Sequence, residues 1–129
     1  MMKELKVGPK DEDKVLVSRY NGKLHCIGNS CPHFGAPLGT GVMFDDKVLC
    51  PWHGASFSVV TGALEGGPSL EGVPKYDVYE RDGKFFVKVP ENLPKGSTAP
   101  MAKRDLNDKR RFVIIGGGAA GLTCAETLR

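Results

Sequence analysis

The chain has 129 residues, of which 40% are hydrophobic and 26% are charged. This length holds one compact domain and little else, so a large multidomain enzyme is excluded. The net charge is +3, and the basic excess lies beyond residue 96, in a stretch without the interleaved aromatic residues or groove-reading motif of a nucleic-acid-binding protein. Seventeen glycines and nine prolines are scattered along the chain and favour short strands and tight turns over a helical bundle.

The first residues carry charges where a signal peptide needs an apolar core. No run of the sequence approaches the roughly 18 apolar residues of a membrane span. We therefore expect a soluble, intracellular protein, cytoplasmic or mitochondrial, with no membrane span and no nucleic-acid partner.

Two dipeptides predict β-hairpins, because Asn21-Gly22 and Asp82-Gly83 each lie between strand-like runs and tolerate the positive φ of a type I′ turn. Further short strands are predicted around 48–50 and 55–60, and no helical periodicity appears before residue 90. The hairpins would join 14–20 with 23–27 and 75–80 with 84–89.

The sequence changes character at residue 90, where proline, glycine, serine, threonine and charge replace apolar alternation. We predict a domain over 1–95, a linker over 96–111 and a final βα unit over 112–129. In that unit the apolar run FVII precedes Gly116, Gly118 and Gly121, which have GxGxxG spacing, and then a helix-forming stretch.

The residues with metal-binding chemistry are Cys31 and His33 in one segment and Cys50 and His53 in a second, with sixteen residues between the segments. Thiolates are strong donors to ferric iron and imidazoles are weaker, neutral donors. Two such segments can hold a two-iron cluster, with both thiolates on one iron and both imidazoles on the other.

Other interpretations of these residues remain open. A structural zinc ion accepts a Cys₂His₂ set, although its usual hairpins place two cysteines two to four residues apart. His25 and Cys26 lie on a predicted strand outside the repeated pattern, so Cys26 is expected to pack inward and His25 to face the other side. Cys124 lies in the terminal helix without partner spacing.

The segments CPHFGAPLGTG and CPWHGASF resemble the signature of Rieske proteins, CxH followed by CxxH. The resemblance covers nearly all of 1–95 and implies an all-β fold of stacked antiparallel sheets. It assigns Cys31 and Cys50 as thiolate ligands of a 2Fe-2S cluster and His33 and His53 as imidazole ligands through Nδ1. LEGGPSL, residues 64–70, resembles the family's proline loop, in which Pro68 would pack over the cluster.

The resemblance implies one-electron transfer, with no catalytic residue. Two imidazoles make the oxidised cluster neutral, which places Rieske potentials at roughly −150 to +300 mV. The respiratory subgroup has a cysteine at the positions of Ala36 and Trp52, and hydroxyl groups at those of Ala55 and Phe57. Because hydrogen bonds to sulfur stabilise the reduced cluster, their absence predicts a potential at the low end of this range.

The C-terminal glycine motif resembles the start of a dinucleotide-binding domain, here truncated to a βα unit of a Rossmann-like fold. In this order, the Rieske and glycine motifs resemble apoptosis-inducing-factor-like flavoproteins, which implies a longer NAD(P)H- and FAD-dependent oxidoreductase. Its flavin domain would be the redox partner, and FAD is expected only in that longer protein. The alternatives are a zinc-binding interaction module and a free ferredoxin of a Rieske oxygenase system.

Overall fold

The computed structural model describes residues 1–97 and 107–128. Chain contacts divide the protein into two units, Met1–Ala99 and Pro100–Arg129. Most of the predicted linker, 98–106, lies outside the described residues, and the predicted domain boundaries stay predictions.

The first unit contains a five-stranded sheet in the order β1-β2-β3-β8-β9, with every neighbouring pair antiparallel. Its edges are β1 and β9, and β3 pairs with β8 although the whole second sheet lies between them in sequence. The strands are β1 (Met2–Lys6), β2 (Lys14–Tyr20), β3 (Lys23–Gly28), β8 (Lys75–Arg81) and β9 (Lys84–Lys88).

Both predicted hairpins are confirmed in this sheet. Asn21 and Gly22 have φ angles of 47° and 75°, and Asp82 and Gly83 have φ angles of 52° and 69°. Positive φ at both central residues is what a type I′ turn requires, and its twist matches that of the strands it joins.

A second sheet has four short antiparallel strands in the order β4-β5-β6-β7. A short 3₁₀ turn at Leu38–Thr40 precedes it. The all-β class with antiparallel sheets is confirmed, and the two segments predicted here correspond to β5 and β6. The strands are β4 (Val42–Phe44), β5 (Lys47–Leu49), β6 (Ser56–Ser58) and β7 (Leu64–Gly66).

The five-stranded sheet has a buried cluster on each face, because successive side chains of a strand point to opposite sides. Leu16 and Ile27 belong to the main core, together with side chains of the second sheet such as Val48 and Phe57. The neighbouring residues Val15 and Cys26 belong to a smaller core with Tyr76. The main core also contains Cys31 and Cys50 and therefore supports the candidate site.

The second unit contains α1, Ala119–Leu128, as predicted from the sequence. The apolar run before it does not form a strand: residues 112–115 have no pairing partner in the described part of the chain, and Val113 and Ile115 are exposed. A strand is stable only when its backbone groups pair with a neighbour, and this run has no such neighbour among residues 1–97 and 107–128. None of the described helices has the length and apolar character needed to cross a bilayer.

Candidate metal centre

Two short loops carry the four predicted ligands, and both are closed by the same backbone hydrogen bonds. In the first cysteine loop, residues 31–36, the amide of Cys31 donates to Ala36 O (2.9 Å) and Gly35 donates to Cys31 O (2.7 Å). In the second cysteine loop, residues 50–55, the amide of Cys50 donates to Ala55 O (2.7 Å) and Gly54 donates to Cys50 O (3.1 Å). Each loop therefore reverses the chain within six residues.

Glycine makes this turn possible in both loops. Gly35 and Gly54 hold the fifth position with φ angles of 81° and 74°, a region that other L-residues enter at an energetic cost. The histidine differs by one position between the loops, since His33 is third in its loop and His53 is fourth in its own.

The two cysteines form a buried sulfur pair. Cys31 is 1% exposed and Cys50 is 4% exposed, and neither forms a disulfide. Burial is the main reason that the pKa of the Cys31 thiol is raised; backbone hydrogen bonds from His33 and Phe34 lower this pKa, and the neighbouring Cys50 thiol raises it. A metal at this position would offset the repulsion between two adjacent thiolates.

The two histidines form a second pair nearer the surface. Their ring centroids are 4.9 Å apart, and the ring of Phe34 lies 4.3 Å from that of His33 and 5.8 Å from that of His53. His33 is half-buried, whereas His53 is exposed. The site thus has a buried sulfur side and a nitrogen side that reaches the surface.

The Nδ1 atom of His33 is buried and has no hydrogen-bond partner among the described residues. A buried imidazole nitrogen normally forms a hydrogen bond, because leaving it unsatisfied is unfavourable by about 1–3 kcal/mol. A buried ring nitrogen without a hydrogen-bond partner, on a residue two positions after a buried cysteine, is chemically suited to bind a metal.

The remaining cysteines and the third histidine lie apart from these pairs. Cys26 is buried in the smaller core on the other face of the five-stranded sheet, as its place on the strand predicted, and His25 precedes it on β3. Cys124 is exposed in α1. Within the described ranges, no three histidine, cysteine or acidic side chains converge closely enough to hold one metal ion.

The proline loop lies beside the first cysteine loop. Pro68 follows a cis peptide bond after Gly67, and a cleft of about 440 Å³ is lined by Pro32, His33 and residues 68–71. Ser69 is buried, and its hydroxyl donates to Glu71 O at 2.9 Å. The loop therefore borders His33, and the packing of Pro68 over a cluster stays a prediction.

Sequence analysis missed one residue that supports the site. Asn29 is buried just before the first cysteine loop, and its side chain bonds to Glu4, 25 residues earlier. No local pattern connects these positions, so only the β1–β2–β3 arrangement identifies the pair.

Comparison with known families gives the site its context. Residues 2–77, which include all four predicted ligands, match the Rieske 2Fe-2S domain. The chain belongs to this family. Rieske domains transfer electrons through a 2Fe-2S cluster, so this chain is an electron-transfer domain of the Rieske type.

Three related proteins show how such domains occur. The chain is 40% identical to human apoptosis-inducing factor 3 over 99% of its own length and 22% of that protein. It is 32% identical to the ferredoxin subunit of 3-phenylpropionate/cinnamic acid dioxygenase from Escherichia coli, over 62% of this chain and 76% of the subunit. Its fold matches the ferredoxin of carbazole 1,9a-dioxygenase from Nocardioides aromaticivorans with a TM-score of 0.60 and 32% identity, covering 67% of this chain and 82% of that one.

The chain thus spans about a fifth of the length of its apoptosis-inducing factor relatives. Those relatives match it through the glycine motif as well as the Rieske domain, because the match extends over 99% of the chain. The resemblance to this group of flavoproteins, stated from the sequence, is confirmed.

Proposed function

We propose that this chain passes single electrons through a 2Fe-2S cluster held by Cys31 and Cys50 on one iron and by His33 and His53 on the other. The observation that carries the proposal is the division of the four side chains into a buried thiol pair and an imidazole pair, in which His33 Nδ1 is buried without a partner among the described residues. When bound, the cluster supplies a site that takes up and releases one electron.

The chain's own residues would prepare this site in three ways. The main core excludes water from Cys31 and Cys50, which strengthens their electrostatic interaction with bound iron. Phe34 packs against both imidazole rings and limits their rotation. His53 and the half-buried His33 reach the surface and offer the shortest route to a redox partner.

The ligand assignment is tested with matched substitutions in the same chain. Cys31→Ala, Cys50→Ala, His33→Ala and His53→Ala should each abolish the visible absorption of an iron–sulfur cluster and the EPR signal of its reduced form. Cys26→Ala and His25→Ala should keep both signals, because Cys26 lies on the other face of the sheet and His25 lies outside both loops.

Iron, sulfide and zinc analysis of the unmodified chain decides between the candidate metals. We expect two irons and two sulfides per chain. One zinc ion per chain, without visible absorption, would contradict the electron-transfer proposal and favour the zinc-binding module.

We further propose that the domain serves an NAD(P)H- and FAD-dependent oxidoreductase, whose flavin domain reduces or oxidises the cluster. The match to human apoptosis-inducing factor 3 supports this proposal because it extends over the glycine motif. The local structure supports it too, since a Cβ atom on Gly121 would collide with the carbonyl oxygen of Gly116. In a dinucleotide-binding motif the third glycine allows the helix to pack closely against the preceding strand, and here the same Cβ atom would lie 3.4 Å from the side chain of Ile114 in the preceding apolar run.

The test uses the whole product of the gene. We expect it to bind FAD and to reduce its own cluster when NADH or NADPH is added, whereas the chain described here should do neither. A gene product without flavin would contradict this part of the proposal and leave the ligand assignment intact.

A free ferredoxin of an oxygenase system is a second candidate, because the dioxygenase ferredoxin subunit aligns with this chain over 76% of its own length. In that case the reduced chain would support turnover of a Rieske oxygenase. It would accept electrons from a separate reductase rather than from a flavin domain of its own.

A further inference from the structure

Asn29 lies between β3 and the first cysteine loop, two residues before Cys31, and is 4% exposed. Its side-chain Oδ1 accepts a hydrogen bond from the amide of Gly39 (2.8 Å), and its Nδ2 donates to Glu4 Oε1 (2.6 Å). Its backbone oxygen accepts from the amide of Leu38 (2.7 Å). One buried residue thus connects β1, the end of β3 and the 3₁₀ turn.

The two cysteine loops differ in what supports them. Below the second cysteine loop, β5 and β6 pair in regular register, with Leu49 opposite Ser56 and Val48 opposite Phe57. The segments that flank the first cysteine loop pair, within the described chain, through an isolated bridge between Ser30 and Pro37, and the 3₁₀ turn begins at the next residue. The hydrogen bonds of Asn29 to Leu38 and Gly39 continue the pairing beyond that bridge.

Glu4 fixes the other end of the Asn29 amide. The Glu4 side chain is 28% exposed and lies over the 3₁₀ turn, so close that a Cβ atom on Gly39 would collide with Glu4 Cγ. Its second oxygen lies 3.7 Å from Lys14 Nζ. A hydrogen bond to a carboxylate is stronger than one between neutral groups, so this contact holds the Asn29 amide in one orientation.

We propose that Asn29, held by Glu4, is a positioning residue that sets Cys31 and His33 against Cys50 and His53. This role rests on the proposed cluster, because it concerns the alignment of the two cysteine loops. The amide N–H of Gly39 can only donate, so Oδ1 must face it and Nδ2 must face Glu4. The arrangement therefore requires an acceptor and a donor on the same side chain.

The test is a donor–acceptor exchange. Asn29→Asp keeps the acceptor for Gly39 but places a carboxylate against that of Glu4. The double variant Asn29→Asp/Glu4→Gln restores the pair with its polarity reversed, because the new amide at position 4 donates to the new carboxylate, and it conserves the net charge. Glu4→Gln alone leaves the Asn29 amide with an acceptor and serves as a control.

The measured quantities are the rate of cluster loss, followed by visible absorption, and the EPR line shape of the reduced chain. We expect Asn29→Asp and Asn29→Ala to lose the cluster about tenfold faster, as for one buried hydrogen bond, and to show altered line shapes. The double variant restores a hydrogen bond to a carboxylate and should stay within about twofold of the unmodified chain. Glu4→Gln exchanges that bond for one between neutral groups and should lose the cluster more slowly than Asn29→Asp does.

A stability control separates positioning from general destabilisation. Val87→Ala removes packing from the smaller core, on β9, and should lower the unfolding midpoint without changing the line shape. The positioning role would be overturned if Asn29→Asp folds, binds the cluster and matches the unmodified chain in its rate of cluster loss and its EPR line shape. It would also be overturned if the double variant loses the cluster as fast as Asn29→Asp does. An unmodified chain that holds no iron–sulfur cluster would overturn the proposed function itself, and this role with it.

Discussion

The residues next to the sulfur pair determine how strongly a bound cluster holds an electron. Ala55 lies opposite Cys50, whose amide donates to its carbonyl oxygen, and Phe57 lies on β6 in the same core. Both are 0% exposed, and neither side chain can donate a hydrogen bond. This apolar surrounding favours a potential at the low end of the Rieske range, roughly −150 to +300 mV.

Adding a hydroxyl at these positions should raise the potential. We expect Ala55→Ser and Phe57→Tyr each to increase the midpoint potential by roughly 50 mV, because a hydrogen bond to sulfur that is about 1 kcal/mol stronger in the reduced state shifts a one-electron couple by that order. Protein-film voltammetry measures the shift.

A hydroxyl placed elsewhere serves as the control for this experiment. Val15→Thr adds one in the smaller core, on the other face of the sheet, and should leave the potential unchanged. A midpoint potential of the unmodified chain above about +100 mV, well into the upper part of the Rieske range, would contradict the role assigned to Ala55 and Phe57.

The two cysteine loops are the elements that carry the candidate ligands, and their conformation depends on glycine. Gly54 has a φ angle of 74°, and a Cβ atom built on it would meet nothing within 4 Å. Gly22, in the distant β2–β3 turn, has a φ angle of 75° and equally open surroundings. The two positions therefore differ in location but have nearly the same φ angle and equally open space for a Cβ atom.

Alanine at these two positions should separate backbone strain from effects on the site. Gly54→Ala and Gly22→Ala should each lower the free energy of unfolding by about 1–2 kcal/mol, because a Cβ atom is disfavoured at positive φ. Only Gly54→Ala should also change the visible and EPR spectra of the loaded chain. Equal spectra for both variants would show that the second cysteine loop tolerates the strain without moving its ligands.

At the scale of the whole molecule, the five-stranded sheet separates two buried thiol environments. Cys31 and Cys50 lie in the main core beside the imidazole pair, whereas Cys26 lies in the smaller core among aliphatic side chains and Tyr76. Burial there raises the pKa of the Cys26 thiol to about 12 from an ordinary value of 9.0. The thiol of Cys26 therefore stays protonated in the folded chain over the physiological range.

This raised pKa predicts a loss of stability in alkali. The folded chain holds the Cys26 proton more tightly than the unfolded chain, so stability is complete below about pH 9 and falls as the pH rises toward 12. Near pH 10.5 the loss should be about 2 kcal/mol relative to neutral pH.

Urea unfolding at both pH values measures this loss. The Cys26→Ala variant has no thiol to ionise at this position, so its stability should fall less between neutral pH and pH 10.5. At neutral pH it should be less stable than the unmodified chain, because the substitution removes packing from the smaller core. Cys124→Ala, a change at an exposed thiol, should keep the dependence of the unmodified chain. The same dependence in Cys26→Ala and the unmodified chain would contradict the assignment.

Several features could be predicted from the sequence because they depend on neighbouring residues. Asn21-Gly22 and Asp82-Gly83 determined their hairpins, since few residues tolerate two successive positive φ angles. The spacing of cysteine and histidine likewise identified the Rieske family. Strand alternation correctly predicted that Cys26 is buried.

Other features depended on contacts between distant segments. Residues 112–115 have the composition of a strand but form none, because pairing needs a partner that composition does not supply. The hydrogen bond between Asn29 and Glu4 forms because the β1–β2–β3 arrangement brings β1 near the end of β3. The two cysteine loops meet because the two sheets pack around a shared core. The sequence alone thus identified the family and the candidate ligands, whereas the tertiary structure decided how those side chains are held, because long-range packing sets distances that local preferences leave free.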